Sequence, residues 1–510
     1  MDIKKKIQIL IQNDYIFTLI NKVSTIILGL FTSAFINRYA GPALKGEYTI
    51  LLNYVNIFAV IANLGIYQAY PYYKRKKTPN VLKKFVNIFY YQFFLYLLVF
   101  IVALFTIKNS LVITILFILP FSVLTNQLNF TMMVEYIYYR NKVNIILSII
   151  KLILSFLLFF VCPRNIIFLV INLFLYDFIL LIFYLVKLKI RISLKYFDKN
   201  FIISIVRFGI IPMITSLLIN LNYKLDVLML DKYVDNDFVG YYAVGVTLAE
   251  LAWLIPDTFK DVLFAKTSNS DSIDQIVKCL KISFYAILLV ILGVISLGKI
   301  FIVVMYGKEF IKSYGVTVLL FLGVPAMAWF KIISTLYLAQ GKRYFYLISL
   351  LISVVLNFVA NLIMIPKLSI YGAALASIIS YTICGGIFLF DFIRIYKVKI
   401  KDVEEEKEAI VPNTQAFIEL IQDQKLKGNE IELIQKQQNM FYTTFQYLFS
   451  LLPTILLIIL FVAVFKMQGL GDKGKIYDAE TTKSKIKFDD VAGLDEEKNE
   501  MIEIVDFLKE

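Results

Sequence analysis

Histidine is absent from the 510 residues, tryptophan occurs twice and cysteine three times. Without histidine, neither a His-containing catalytic triad nor a His-ligated zinc-protease centre can be built. Cys162, Cys279 and Cys384 are scattered, forming neither a disulfide framework nor a metal-ligand pattern. No Gly-x-x-x-x-Gly-Lys-Ser/Thr phosphate loop occurs, and the acidic run Glu404–Glu408 has no supporting ligand pattern. Charge is scarce as well, at 18% of residues. No catalytic residue, metal or cofactor is therefore expected.

What fills the chain is apolar: 59% hydrophobic residues and a mean hydropathy of +0.74. A water-soluble domain could not hide that much apolar surface, so a polytopic membrane protein is expected. The 33 Tyr and 44 Phe accompany many Ile, Lys and Asn and read as coding bias. The net charge of +14 does not imply nucleic acid, because the lysines fall in short loops between apolar spans. The basic start MDIKKK runs into a span with no small-residue cleavage site. It reads as a retained first helix with a cytoplasmic N-terminus, not a signal peptide.

Apolar helices are expected at 15–36, 48–70, 85–107, 111–134, 143–161 and 166–186, then at 208–230, 240–262, 281–304, 315–338, 344–364 and 371–394. Base-rich loops (Lys74–Lys84, Arg140 and Lys142, Lys187–Lys199, Lys266–Lys281, Lys342–Arg343, Arg394–Lys401) alternate with less basic ones. The second set is Asn37–Gly46, Lys108–Ser110, Cys162–Asn165, Asp231–Asp237, Tyr306–Lys312 and Pro366–Ser369. Twelve transmembrane helices with both ends cytoplasmic satisfy every loop. The expected fold class is thus an all-α polytopic membrane protein of two six-helix lobes, 1–200 and 201–400. A polar linker at 401–445, an additional apolar helix at 446–466 and a further linker from 467 to 510 follow.

The halves carry a repeat: NRYAGPALKGEYTIL (37–51) and DKYVDNDFVGYYAVG (231–245) each place Gly-x-Tyr at the start of their second helix. These are Gly46 and Tyr48, preceded by Gly41 and Pro42, and Gly240 and Tyr242. Glycine there permits a tight start to the helix, and tyrosine suits the headgroup level. Pro120, Pro212, Pro256 and Pro325 can bend their helices, as a central cavity requires.

The functional lead is charge within apolar spans, which is expensive and serves a purpose by default. Glu135 and Lys224 lie near helix ends and can reach the interface. Lys22, Lys151, Asp177, Asp226, Glu250 and Lys331 are the cavity candidates, with Asp257 a further charge. Each either lines a polar cavity or pairs with an opposite charge on a neighbouring helix. A lysine-containing cavity suits a substrate with an anionic head. The stretch Arg191–Val246, which joins the halves and carries Lys224 and Asp226, is the pivot of this reading.

Residues 15–395 resemble the polysaccharide-exporter (Wzx-like oligosaccharide flippase) family of the multidrug/oligosaccharidyl-lipid/polysaccharide exporter superfamily. The likeness rests on NRYAGPALKGEYTIL, NLGIYQA (63–69), RFGIIPMITSLLINLNYKLDVLML (207–230), VGYYAVG (239–245) and VVLNFVANLIMIPKLSIYGAALASIISY (354–381). Asp226 stands at the family's Asp, Gly240 and Tyr242 at its Gly-x-Tyr, and Gly372 and Ala373 at its Gly-Ala. The resemblance implies alternating access and a polyprenyl-diphosphate-linked glycan as cargo. It also implies membrane lipids and glycosyltransferase or glycan-polymerising machinery as partners, in the bacterial inner membrane. A cation-coupled multidrug exporter of the same superfamily is the alternative. Asp226→Asn and Lys331→Ala are then expected to reduce transport while leaving the protein inserted.

The tail, 440–510, resembles the membrane-bound AAA+ zinc metalloproteases (FtsH-like). The likeness runs through LLPTILLIILFVAVFKMQG and KIKFDDVAGLDEEKNEMIEIVDFLKE (485–510), and covers a transmembrane helix, a linker and the incomplete start of an ATPase domain. A body ending in the cytoplasm would send Lys473–Glu510 outside, against the basic flank Lys466–Lys487. The expectation is a truncated fusion or a joining error, a non-catalytic fragment or partner of such a protease.

Overall fold

Every regular element among the described residues, 14–267 and 273–396, is helical. In the computed structural model these residues belong to one unit, Met1–Val411. The linker, extra helix and ATPase-like start expected within 401–510 lie outside the described residues. The helices are α1 (Asp14–Ala62), α2 (Ile66–Arg75), α3 (Val81–Thr106), α4 (Ser110–Glu135), α5 (Ile137–Val161) and α6 (Ile166–Leu188). They continue as α7 (Lys199–Leu230), α8 (Asn236–Ala252), α9 (Leu254–Thr267), α10 (Ile273–Tyr306), α11 (Ser313–Ala339) and α12 (Arg343–Tyr396). Ten helical stretches among them are long and apolar enough to cross a membrane.

Two of these helices are too long for one crossing. α1 has 49 residues and α12 has 54, where roughly 20 suffice. Each contains one non-helical residue, Gly41 (φ 64°, ψ 178°) and Ser369 (φ 54°, ψ −134°). The chain folds back at both. Gly29 and Leu52 border one cavity, although a straight helix would hold them about 35 Å apart. A Cβ on Gly372 would lie 2.2 Å from the Met364 carbonyl oxygen, eight residues back. The loops expected at 37–46 and 366–369 are therefore single-residue reversals, with Pro42 as the first residue of the second arm, where its missing N–H is no loss.

Other boundaries move for local reasons. The span expected at 48–70 stops at Ala62, because Leu64 and Gly65 take positive φ before the amphipathic α2. The span expected at 240–262 is interrupted at Trp253. Pro256 has no N–H to offer the Ala252 carbonyl, so the ladder breaks there.

The base-rich segments of the N-terminal half meet at one end. Lys74 pairs with Glu135 at 2.7 Å. The Asn87 side chain accepts from the Ser193 N–H at 2.7 Å, and Tyr91 donates to the Ser193 carbonyl at 2.7 Å. The joint between the halves is thus docked on α3. In the C-terminal half α11 is the central helix, packed by α8, α9, α10 and α12. Its side chains are buried on nearly every face, as a helix hydrophobic all round requires.

Candidate functional site

Lys45, Tyr48, Leu52, Asn56 and Val60 follow one another along the second arm of α1 at steps of three or four residues, which keeps them on one face, and Asn63 continues the series in the turn just past its end. That face borders two cavities. Toward Gly41, a cavity of about 340 Å³ is lined by Lys45 and Tyr48, by Thr25, Thr32 and Ser33 of the first arm, by Ser148 and Lys151 of α5, and by Tyr176 of α6 and Thr247 of α8. Toward Gly65, a cavity of about 310 Å³ is lined by Asn56, Asn63, Tyr67, Asn126, Asn129, Arg140 and Asn220. Thr247 and Asn220 come from the C-terminal half, so both cavities lie between the halves.

The first cavity presents two ammonium groups and no carboxylate. Thr25, Thr32, Ser148 and Thr247 donate their hydroxyls to carbonyls of their own helices at 2.7–2.8 Å. The side-chain donors left among the lining residues are Lys45, Lys151, the phenols of Tyr48 and Tyr176, and the Ser33 hydroxyl, which accepts from Asn37. Lys151 sits over the Tyr176 ring, 4.8 Å from its centroid. Neither lysine has a carboxylate within ion-pair distance among the described residues. A positive, hydroxyl-rimmed, partly dry pocket attracts an anion.

The expected cavity charges separate into distinct environments. Lys151 lines the first cavity, and Asp177 follows the lining Tyr176 on α6, half-buried. Lys224 pairs with Glu250 at 3.5 Å, on α7 and α8. Lys331 on α11 reaches both carboxylate oxygens of Asp257 at 2.9 Å, with Trp253 beside it. Asp226 is 2% exposed and lines neither cavity. It accepts from the Tyr242 hydroxyl, from Ser377 at 3.0 Å and from the Val227 N–H at 2.8 Å, binding α7, α8 and α12 together. Glu135 accepts from Tyr70 and pairs with Lys74. Lys22 is half-buried on the first arm of α1 and is not among the lining residues.

The Lys331–Asp257 pair yields a stability prediction. Lys331→Met leaves a partly buried carboxylate unpaired and is expected to lower stability by about 2 kcal/mol, less than a fully buried pair would because Asp257 is one-third exposed. Adding Asp257→Leu is expected to restore most of it. Thermal unfolding in detergent checks both, and a double variant as unstable as the single would show that the pair is not the cause.

The Gly-x-Tyr repeat serves a different purpose from the expected one. A Cβ on Gly46 would lie 1.9 Å from the Asn236 carbonyl oxygen, and a Cβ on Gly240 would lie 2.0 Å from that of Pro42. Each glycine meets the residue four before the other, so the helices beginning at Pro42 and Asn236 cross reciprocally at their first turns. Tyr48 and Tyr242 are buried, at 6% and 0% exposure, rather than at a headgroup surface. Beside this crossing, Arg38 donates to the Met305 and Val304 carbonyls at 2.9 and 2.5 Å, capping the end of α10. At the other end of the arm, a Cβ on Gly65 would lie 2.0 Å from the Gly209 oxygen. The two contacts are separated by about 28 Å of helix, nearly a hydrocarbon core.

Sequence reasoning missed Lys45, placed in a loop, and the asparagines, which carry no charge. The spacing of Asn56 and Asn63, and of Asn126 and Asn129, on single helix faces was the available signal.

No protein-family model matches the chain. Among solved structures, it is similar to the lipid II flippase MurJ in an inward closed conformation, with a TM-score of 0.57 and 18% identity over 74% of this chain and 87% of that one. It is similar to an inward-facing multidrug resistance MATE family transporter of the MOP superfamily, with a TM-score of 0.58 and 14% identity over 74% and 96%. The chain shares the fold of these two proteins. On that fold, the described helices form a multi-pass membrane body. Several curated proteins match a short part of the chain. The ATP-dependent zinc metalloprotease FtsH of Malacoplasma penetrans (strain HF-2) is 45% identical over 76 residues, 14% of this chain and 9% of that protein. FtsH of Bacillus subtilis (strain 168) is 36% identical over 94 residues, 17% and 14% respectively. The chain thus spans about a tenth of the length of these relatives.

Proposed function

We propose that the chain is a Wzx-like flippase of the bacterial inner membrane, moving a polyprenyl-diphosphate-linked glycan between leaflets by alternating access. The observation that carries this reading is the cavity between the halves with Lys45 and Lys151 and no lining carboxylate, which suits a diphosphate. Dividing α1 and α12 at their reversals gives twelve crossings in two six-helix lobes, with the glycine contacts where the lobes meet. Machinery that builds or polymerises the glycan would supply and consume the cargo. Within residues 440–510, the FtsH-like segment is proposed as a fused, non-catalytic appendage.

Reconstitution into liposomes tests the function. A fluorescent polyprenyl-diphosphate oligosaccharide in the outer leaflet is expected to become protected from a membrane-impermeant quencher, with the full chain and not with empty vesicles. No protection under any ion gradient overturns the proposal. Export of organic cations instead would make the chain a cation-coupled multidrug exporter on the same fold.

A further inference from the structure

The cavity toward Gly65 differs in chemistry from its neighbour. Five of its lining residues are asparagines, and its one charge is Arg140. A carboxamide offers two donors and an acceptor with two lone pairs, the mixed pattern that a polyhydroxylated ring presents in return. Several of these groups are unspent. Asn56 and Asn126 are exposed to the cavity and make no hydrogen bond among the described residues. Asn63 is 3% exposed, and its Nδ2 donates to the Ala59 carbonyl at 2.7 Å while its Oδ1 has no partner. A buried acceptor left open is costly unless something fills the space beside it.

Arg140 adds a preference. Its Nε donates to Asn129 Oδ1 at 2.8 Å and its Nη1 to Asn141 Oδ1 at 3.5 Å, with no carboxylate in reach among the described residues. The remaining N–H groups of the fork are available to an incoming acceptor. Tyr67 and Phe130, edge to face at 5.0 Å between centroids, supply an aromatic wall against which the apolar face of a sugar ring can lie. A volume of about 310 Å³ lies at the small end of ligand pockets. An organic cation would meet Arg140, and an apolar guest would strand the carboxamides.

We propose that the cavity lined by Asn56, Asn63, Asn126 and Arg140 is a sugar-binding subsite, taking hydroxyl-rich residues of a glycan and favouring one that bears a carboxylate. It rests on the flippase reading and deepens it: the neighbouring lysine cavity would hold the diphosphate and this one the first sugars. Because both cavities border one face of α1, a single extended headgroup can occupy both.

The test uses the full chain in detergent and two separate soluble probes. Saturation-transfer NMR follows a lipid-free disaccharide of a uronic acid and an N-acetylhexosamine, with its neutral counterpart for comparison. Calorimetry follows inorganic pyrophosphate. The acidic disaccharide is expected to receive saturation more strongly than the neutral one. Asn56→Leu and Asn126→Leu, which break no hydrogen bond, are expected to weaken sugar binding at least about fivefold with pyrophosphate binding unchanged. Arg140→Gln is expected to abolish the preference for the acidic sugar. Pyrophosphate binding without sugar binding overturns the subsite and leaves the flippase reading standing. Sugar binding indifferent to all three variants also overturns the subsite, and binding of neither probe overturns both.

Discussion

Alanine at Gly65 or Gly209 is expected to open the asparagine cavity to water from one side of the membrane, and alanine at Gly46 or Gly240 to open the lysine cavity from the other. A Cβ would lie about 2 Å from a backbone oxygen of the opposing half at Gly46, Gly65 and Gly240, and 2.7 Å from one at Gly209. Backbone cannot swing aside as a flexible side chain can, so the halves must part at that end. Overpacking of this kind costs about 1–3 kcal/mol, a shift of roughly five- to 150-fold toward whichever arrangement lacks the contact. Gly209 is the cleaner site, because alanine favours a helix interior by about 1 kcal/mol and cannot be opening the cavity by unwinding α7. At Gly65 the φ of 64° adds strain of its own. Single cysteines at Asn126 and Ser148, in a background without Cys162, Cys279 and Cys384, report the two cavities. An impermeant maleimide applied to right-side-out and inside-out vesicles should label Asn126→Cys from one orientation only in the Gly209→Ala protein. It should label Ser148→Cys from the opposite orientation only in the Gly240→Ala protein. Labelling equal from both sides, or unchanged from the parent, would show that these are static packing contacts rather than gates.

The fold was largely readable because hydropathy and loop charge are properties of whole segments. Ten apolar stretches correspond to the expected spans, and Gly41 and Ser369 fall inside expected loops. The site was less readable, because a helix's outer limits decide which side chains count as intramembrane. Reading 37–46 as a loop hid Lys45, which sits in the first turn after Pro42. Charge was also an incomplete guide. Asp226, Glu250 and Lys331 satisfy themselves against Tyr242, Lys224 and Asp257 within the C-terminal half. Unpaired asparagines face open space without announcing it in composition. The Gly-x-Tyr repeat was visible as a pattern, but its reason was not. Only the crossing of the Pro42 and Asn236 helices shows that the glycines serve each other across the halves.

Neutralising either half-buried lysine of the first cavity is expected to have the largest effect on transport. Lys45→Met and Lys151→Met each remove one of the two ammonium groups facing the first cavity while keeping an unbranched side chain one atom shorter. At an effective dielectric of about 20, a unit charge 4 Å from a phosphate contributes about 4 kcal/mol before reorganisation. A charge-assisted hydrogen bond retains about 1.5–3 kcal/mol of that in net terms. Each variant should therefore move a polyprenyl-diphosphate glycan roughly ten- to 100-fold more slowly at limiting concentration, and the double variant should not move it measurably. At Lys45 the effect on the empty protein has the opposite sign. Lys45 meets the like charges of Lys151 and Lys224, so removing it relieves desolvation and repulsion, whereas Lys151 also attracts Asp177 and its removal forfeits that attraction. In Lys45→Met, thermal stability should hold or rise as transport falls. A structural role would lower both together, which separates the two accounts in one experiment. Lys151→Arg keeps the charge and should retain more transport than Lys151→Met. Wild-type flipping rates in both methionine variants would remove the diphosphate from this cavity. Faster efflux of an organic cation on losing a lysine would identify the repelled cation as the cargo.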